Sequence, residues 1–217
     1  MGINVSASIL GCDLSNLESE LKRVETSGAD YVHFDVMDGV FVNNISFGLP
    51  VLRCAKRVSK LPFDVHLMIT SPERYIERFI DLGADNITFH IESTDSIESC
   101  IKMCRDKGIS VGISIKPGTE VSLVYPYLEL VDMVLIMTVE PGFGGQGFIE
   151  NMVEKIKTLN KKIKELGLKT VIQVDGGINE KTAPQVILSG ATNLVAGTYL
   201  FKADNMAERI RKLKQGV

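Results

Sequence analysis

The feature that most limits what this chain can fold into is a repeated alternation: short apolar runs recur between longer amphipathic segments. Candidate strands cover residues 5–10, 31–36, 63–67, 86–91, 110–115, 133–138, 170–175 and 193–196. In LSNLESELKRVETSG, Leu14, Leu17, Leu21 and Val24 fall at the three- and four-residue spacing of a helix. SPERYIERFIDLG offers Ser71 as an N-cap and Pro72 at the first helical position. NMVEKIKTLNKKIKELG and NMAERIRKLKQ are two further amphipathic helices. The helical pattern is weakest after residues 41 and 118. Strands alternating with helices pair in parallel through right-handed crossovers. A short device also repeats: SGAD at 27–30, LGAD at 82–85 and SGAT at 189–192 each precede a strand. Gly28, Gly83 and Gly190 suit the left-handed residue that ends a helix.

Eight βα units in 217 residues, with no Pro-rich or Ser-rich linker, predict one α/β domain over residues 1–217: a (β/α)8 TIM barrel. It would be shorter than the usual length of about 250 residues. An open doubly wound sheet is the alternative. Its glycine fingerprint after the first strand is missing, since SILGCDLSN holds one glycine.

Composition narrows the function classes. Hydrophobic residues make up 45% and charged residues 24%, the profile of a soluble globular chain. A net charge of -3 gives no basic footprint for nucleic acid or an anionic membrane. No apolar run approaches the roughly 20 residues of a membrane span. MGINVSASILGCD has no basic n-region, so a cytoplasmic location is expected. Cys12, Cys54, Cys100 and Cys104 form no Cys-x-x-Cys pair and are expected to be free thiols.

In YVHFDVMDGVFV (31–42), a histidine and two aspartates interrupt a run that a core would fill with valine. Residues two apart on a strand share a face. His33, Asp35 and Met37 therefore lie together, as do Asp64, His66 and Met68, then Val171, Gln173 and Asp175, and then Ser6, Ser8 and Leu10. The C-terminal end of the strands is where barrel active sites sit. His33, Asp35, His66 and Asp175 can converge there, and two imidazoles with two carboxylates make a divalent-cation site. His90 also ends a strand and fits either a pocket wall or a place behind the ligands. Met37, Met68 and Met137 end strands as well, as barrel core or as a water-excluding layer lining the pocket.

Three glycine-rich stretches follow late strands: EPGFGGQGF (140–148), DGGI (175–178) and AGTYLF (196–201). Gly142, Gly144 and Gly145 free the backbone to bring N–H groups onto an anion. Loops after the seventh and eighth strands commonly hold phosphate in barrels.

The stretches SASIL, HFDVMDGVFVNN, DVHLM, MTVEPGFGGQ, VDGGI and AGTYLF, in this order, resemble the ribulose-phosphate 3-epimerase family. The resemblance implies a barrel of the ribulose-phosphate-binding type that inverts C3 of a ketose phosphate. It implies one divalent metal ion per subunit (Zn2+, Fe2+, Mn2+ or Co2+) held by His33, Asp35, His66 and Asp175. It implies Asp35 and Asp175 as the two acid/bases. Substrate contacts would come from Ser8, His66 and Asp175, and phosphate contacts from Gly142, Phe143, Gly144, Gly145, Gly176, Gly177, Gly197 and Thr198. The expected partner is a small ketose phosphate, with the chain as a homo-oligomer. Two positions depart from the pattern: Asn43 stands where many relatives have proline, and Thr198–Tyr199 where smaller residues are common. Relatives acting on hexulose phosphates such as allulose 6-phosphate share most of these motifs. A decarboxylase on a similar barrel would carry an Asp-x-Lys-x-x-Asp pattern, and DVMDG has no lysine. A barrel that binds sugar phosphate without turnover would be expected to lose one acid/base, and both Asp35 and Asp175 are present.

The chemistry is coherent. Removing the C3 proton next to a C2 carbonyl makes an enediolate, which a metal can stabilise as a Lewis acid. Inversion then needs a base on one face and an acid on the other.

Overall fold

The computed structural model describes residues 2–216. Its strands are β1 (Asn4–Ser8), β2 (Tyr31–Met37), β3 (Phe63–Met68), β4 (Asn86–His90), β5 (Ser110–Ile115), β6 (Met133–Met137), β7 (Val171–Asp175) and β8 (Asn193–Ala196). Each pairs in parallel with the next, and β8 returns to β1, so the sheet closes into a barrel. Outside it lie helices α1 (Leu17–Thr26), α2 (Leu49–Val58), α3 (Ile76–Asp81), α4 (Ile97–Asp106), α5 (Met152–Glu165), α6 (Ala183–Ser189), α7 (Thr198–Phe201) and α8 (Met206–Gln215).

Strand alternation divides the side chains between two cores. Phe34, Val65, Leu67, Phe89 and Ile113 face the helices and belong to one large apolar cluster. The barrel interior is polar halfway along the strands. There Ser6, Asp64, Asn86, Thr88 and Gln173 are buried, and Asn193 joins them. Gln173 donates to Asp64 at 2.6 Å, Asn86 donates to Asp64 at 2.7 Å, and Ser6 donates to Asn193 at 2.9 Å. Buried polar groups of this kind persist only when their hydrogen bonds are met.

The glycines of the repeated device take the left-handed region as expected, with φ of 83° at Gly28, 91° at Gly83 and 116° at Gly190. Four local expectations change. β1 stops at Ser8, because Ile9–Gly11 tighten into a 3-10 turn in which a Cβ on Gly11 would sit 2.8 Å from the Gly197 backbone. Leu14 is 49% exposed, since its segment is a 3-10 turn (Leu14–Asn16) and the buried helical face begins later. Ser71 is left-handed (φ 50°) and caps no helix through its side chain; its N–H bonds to the Ser93 carbonyl, and Pro72–Arg74 is a 3-10 turn ahead of α3. The β5–β6 crossover carries a 3-10 helix, Val121–Tyr127, with Pro126 inside it, where a proline disfavours α-helix.

Phe34 is fully buried against Phe47, ring centroids 4.6 Å apart, and near Phe63 at 6.4 Å. Phe34→Ala is expected to cost about 3–5 kcal/mol in denaturant unfolding. Leu188→Ser, at a position 87% exposed, should change stability by less than about 0.5 kcal/mol.

Candidate metal centre and active site

At the C-terminal mouth, β2 contributes His33 and Asp35, β3 contributes His66 and β7 contributes Asp175. One ligand atom from each lies within 4.8 Å of the others. Strand register sets this up, because Asp35 lies directly opposite His66 in the β2–β3 ladder. His33 Nε2 is 3.2 Å from Asp35 Oδ1 and 3.9 Å from Asp175 Oδ2. His66 Nδ1 is 3.3 Å and 3.7 Å from the same two oxygens.

The polar layer beneath aims these groups. Asp64 lies 2.8 Å from His33 Nδ1 and also accepts from Asn86 and Gln173. An ionised carboxylate can only accept, so one proton stays on Nδ1 and Nε2 is the nitrogen turned toward the cluster. That Nε2 is buried and has no hydrogen-bond partner among the described residues. Ser8 donates to the second oxygen of Asp35 at 2.6 Å.

The electrostatics are those of a crowded site. Burial opposes a charge on His33, yet the carboxylates of Asp35 and Asp64 outweigh it and hold its pKa well above the ordinary value. Burial also opposes ionisation of Asp35, but His33 and then His66 hold that carboxyl far below the usual range. Asp175 goes the other way: burial, then the Asp35 charge, push it up to about 6. An orphaned imidazole nitrogen, a second imidazole and two mutually repelling carboxylates fit a divalent cation of intermediate hardness.

Above the cluster is a cavity of ≈ 270 Å³, lined by Ser8, Asp35, Asp175 and the three methionines Met37, Met68 and Met137. Its far wall is formed by Gly142–Gly145, Gly176–Gly177 and Gly197–Tyr199. Positive φ at Gly142 (133°), Gly145 (75°), Gly176 (119°) and Gly177 (67°) explains the glycines there. The loop carbonyls are tied back by side chains. Asn44 donates to Gly142 O at 2.7 Å, Gln146 to Phe143 O at 2.9 Å, Thr138 to Gly176 O at 2.6 Å and Thr182 to Gly177 O at 2.9 Å. Phe143 itself is 56% exposed at the rim.

Of its two readings, His90 takes the place behind the ligands: it is off the pocket wall and fully buried, its Nε2 3.0 Å from His66 Nε2. His66 is fully buried too, so it offers no open surface for the direct substrate contact that the resemblance implied. Asp38, the other carboxylate of the interrupted run, stands outside the cluster. It accepts from Val40, Phe41 and Thr70 backbone N–H groups and shapes the β2–α2 loop. Asp64 and Gln173 share faces with His66 and Asp175, and that sequence signal marks their place. Glu92 and Asn44 gave no comparable signal.

A closed parallel barrel with a His2Asp2 cluster and three glycine-rich loops at one mouth defines a (β/α)8 barrel with a candidate metal centre. Solved structures agree on the fold. A 3-hexulose-6-phosphate synthase from Salmonella typhimurium superposes with a TM-score of 0.74 at 17% identity, covering 99% of this chain and 98% of that one. A phosphoribosylanthranilate isomerase from Pyrococcus furiosus superposes with a TM-score of 0.66 at 15% identity, covering 99% and 98%. The chain belongs to the ribulose-phosphate 3 epimerase family, whose model matches residues 4–201. It is 41% identical to a ribulose-phosphate 3-epimerase of Bacillus subtilis (strain 168) over 98% of both chains. It is 45% identical to one of Treponema pallidum (strain Nichols) over 91% of this chain and 90% of that one.

The raised Asp175 has a measurable consequence. A carboxyl with a higher pKa in the folded state stabilises the fold below its unfolded pKa, and that stability is lost as pH rises through the folded value. In chelator-treated protein, Asp175→Asn should therefore gain on the parent between about pH 4 and 6, reaching ~2–3 kcal/mol above pH 6. Added divalent cation should reverse the order, because the asparagine lacks the charge. Denaturant unfolding with and without metal reads both.

Proposed function

We propose that the protein inverts C3 of a phosphorylated ketose in a metal-dependent reaction, converting D-ribulose 5-phosphate to D-xylulose 5-phosphate. Membership of the family supports the reaction class. The observation that carries the mechanism is the placement of two carboxylates from different strands, Asp35 on β2 and Asp175 on β7, at one cluster on the barrel mouth. Each can accept a proton as a carboxylate and return one as the acid.

His33, Asp35, His66 and Asp175 would hold the metal, whose identity among Zn2+, Fe2+, Mn2+ and Co2+ is set by availability as much as by this mixed donor set. When bound, it would supply a positive charge beside the oxygen that gains electrons as the C3 proton leaves. Asp35 and Asp175 stand on β2 and β7, three strands apart around the ring, and address the sugar from different sides. One removes the C3 proton from its face, and the other returns a proton to the opposite face. Ser8, bonded to Asp35, orients that carboxylate. Met37, Met68 and Met137 exclude water without adding polar competitors.

The pocket lining holds no lysine or arginine among the described residues, so a phosphate there would rest on backbone N–H groups of Gly142–Gly145, Gly176–Gly177 and Gly197–Thr198. Remote binding of that kind positions C3 and should appear in kcat as well as KM. A closed barrel has no internal seam, which supports reading the whole chain as one domain. No described helix is long and apolar enough to cross a membrane. The proposed role is that of a cytoplasmic enzyme acting on a small molecule, in keeping with the family.

The test is turnover of ribulose 5-phosphate, allulose 6-phosphate and free ribulose side by side, before and after stripping with a strong chelator. The pentulose phosphate should be preferred, free ribulose should lose kcat, and stripping should abolish activity until a divalent ion is restored. Asp35→Asn and Asp175→Asn should each lower kcat by about 10²–10⁴-fold. Preference for allulose 6-phosphate would reassign the substrate, and full activity in verified metal-free protein would remove the mechanism.

A further inference from the structure

We propose that Glu92 and His90 are positioning residues that fix the tautomer of His66, so that its Nδ1 meets the cluster as a lone pair. The proposal rests on the metal reading above and extends it to two residues outside the ligand set.

The argument is one of proton counting along a chain. Glu92 follows β4 in a 3-10 turn, Ile91–Ser93. One of its oxygens accepts from the Lys116 N–H at 2.8 Å and the Thr119 hydroxyl at 2.5 Å. Its other oxygen lies 3.2 Å from His90 Nδ1. An ionised carboxylate only accepts, so His90 Nδ1 carries a proton and donates it. In a neutral ring the opposite nitrogen, Nε2, is then an acceptor. It faces His66 Nε2 at 3.0 Å, so His66 must donate there. The last nitrogen, His66 Nδ1, is left without a proton. It faces Asp35 Oδ1 at 3.3 Å and Asp175 Oδ2 at 3.7 Å. Without a cation, Asp35 Oδ1 would draw a proton onto that nitrogen; with one bound among these atoms, the chain from Glu92 leaves Nδ1 free as the ligand atom.

The two histidines are held out of solvent between rings. The two imidazoles stack, centroids 5.1 Å apart and planes 22° apart. Phe41, from the loop after β2, packs on His90 at 4.9 Å, and Lys116 Nζ lies 3.7 Å from the Phe41 ring centre. Glu92 thus sets the polarity of two hydrogen bonds and ties the β5 loop to the floor of the site. His33 has its own carboxylate in Asp64, so each imidazole of the cluster is oriented by an acid: one directly, one through a second histidine.

Glu92→Gln separates this role from simple packing. The glutamine amide is nearly the same shape, but it can donate to His90 Nδ1 and let the chain run backwards, placing the proton on His66 Nδ1. Three readouts apply: side-chain 15N shifts of the histidines in the diamagnetic Zn2+ form, Co2+ affinity by competition with a chromophoric chelator, and the visible absorption of the Co2+ form. The parent should show His66 protonated at Nε2. Glu92→Gln should lose about 10–100-fold in Co2+ affinity and shift the Co2+ spectrum, with the metal-free fold retained. His90→Gln, whose carbonyl can still accept from His66, should keep more affinity than His90→Leu; if the leucine variant fails to fold, Glu92→Gln carries the test. Parent-like affinity and tautomer in Glu92→Gln would overturn the proposal. A parent that binds no Co2+ would overturn it together with the metal reading, whereas intact Co2+ binding without epimerase turnover would overturn the substrate reading alone.

Discussion

The structure depends on one buried carboxylate, Asp64. It sits inside a barrel that could have been filled with valine, at 1% exposure. An isolated charge there would be costly, so the site persists only because donors surround it. His33, Asn86 and Gln173 all lie within 2.8 Å of its oxygens. Ser6, 3.4 Å from Gln173, and Asn193 extend the network. β1, β2, β3, β4, β7 and β8 thus share one polar hub. It fixes the ring of His33, and with it the geometry one layer higher. Removing it would leave a misaimed imidazole and several unpaired donors, so the effect on the site should exceed the loss of any single bond.

The mouth is assembled against its own electrostatics. Two carboxylates and two imidazoles packed within 4.8 Å make a site that the bare polypeptide stabilises poorly. The raised pKa of Asp175 expresses that cost, and a cation would relieve it. The glycine loops show a related tension. Backbone free enough to approach an anion is also free to collapse, and the side chains of Asn44, Gln146, Thr138 and Thr182 hold it open through its carbonyls. Rigid surroundings around permissive backbone let the reactive carbon be placed to a fraction of an ångström.

Much of this was legible in the sequence because strand alternation is strict. Once His33, Asp35, His66 and Asp175 were placed on strands, their shared face and end followed. The left-handed glycines at 28, 83 and 190 were legible for an equally local reason. Other features depend on contacts that no local pattern carries. The hub around Asp64 requires the register of strands that meet only when the barrel closes. The left-handed Ser71 answers to the distant Ser93 carbonyl. Leu14 has the spacing of a core residue yet is exposed, because the helix starts three residues later. Glu92 gave no sign at all: its role passes through His90, which reads equally as wall or support until the two rings are seen facing each other.

The central claim is that two carboxylates, one on each side of the sugar, share the work at C3. It is tested most directly with ribulose 5-phosphate deuterated at C3, turned over in ordinary water and sampled at early times. Each carboxylate then exchanges its proton with solvent only on its own face. The account predicts that the first product molecules carry hydrogen from water at C3 and have lost the label. Product that keeps most of its deuterium would mean a single group carrying one proton across both faces, and would contradict the paired roles of Asp35 and Asp175.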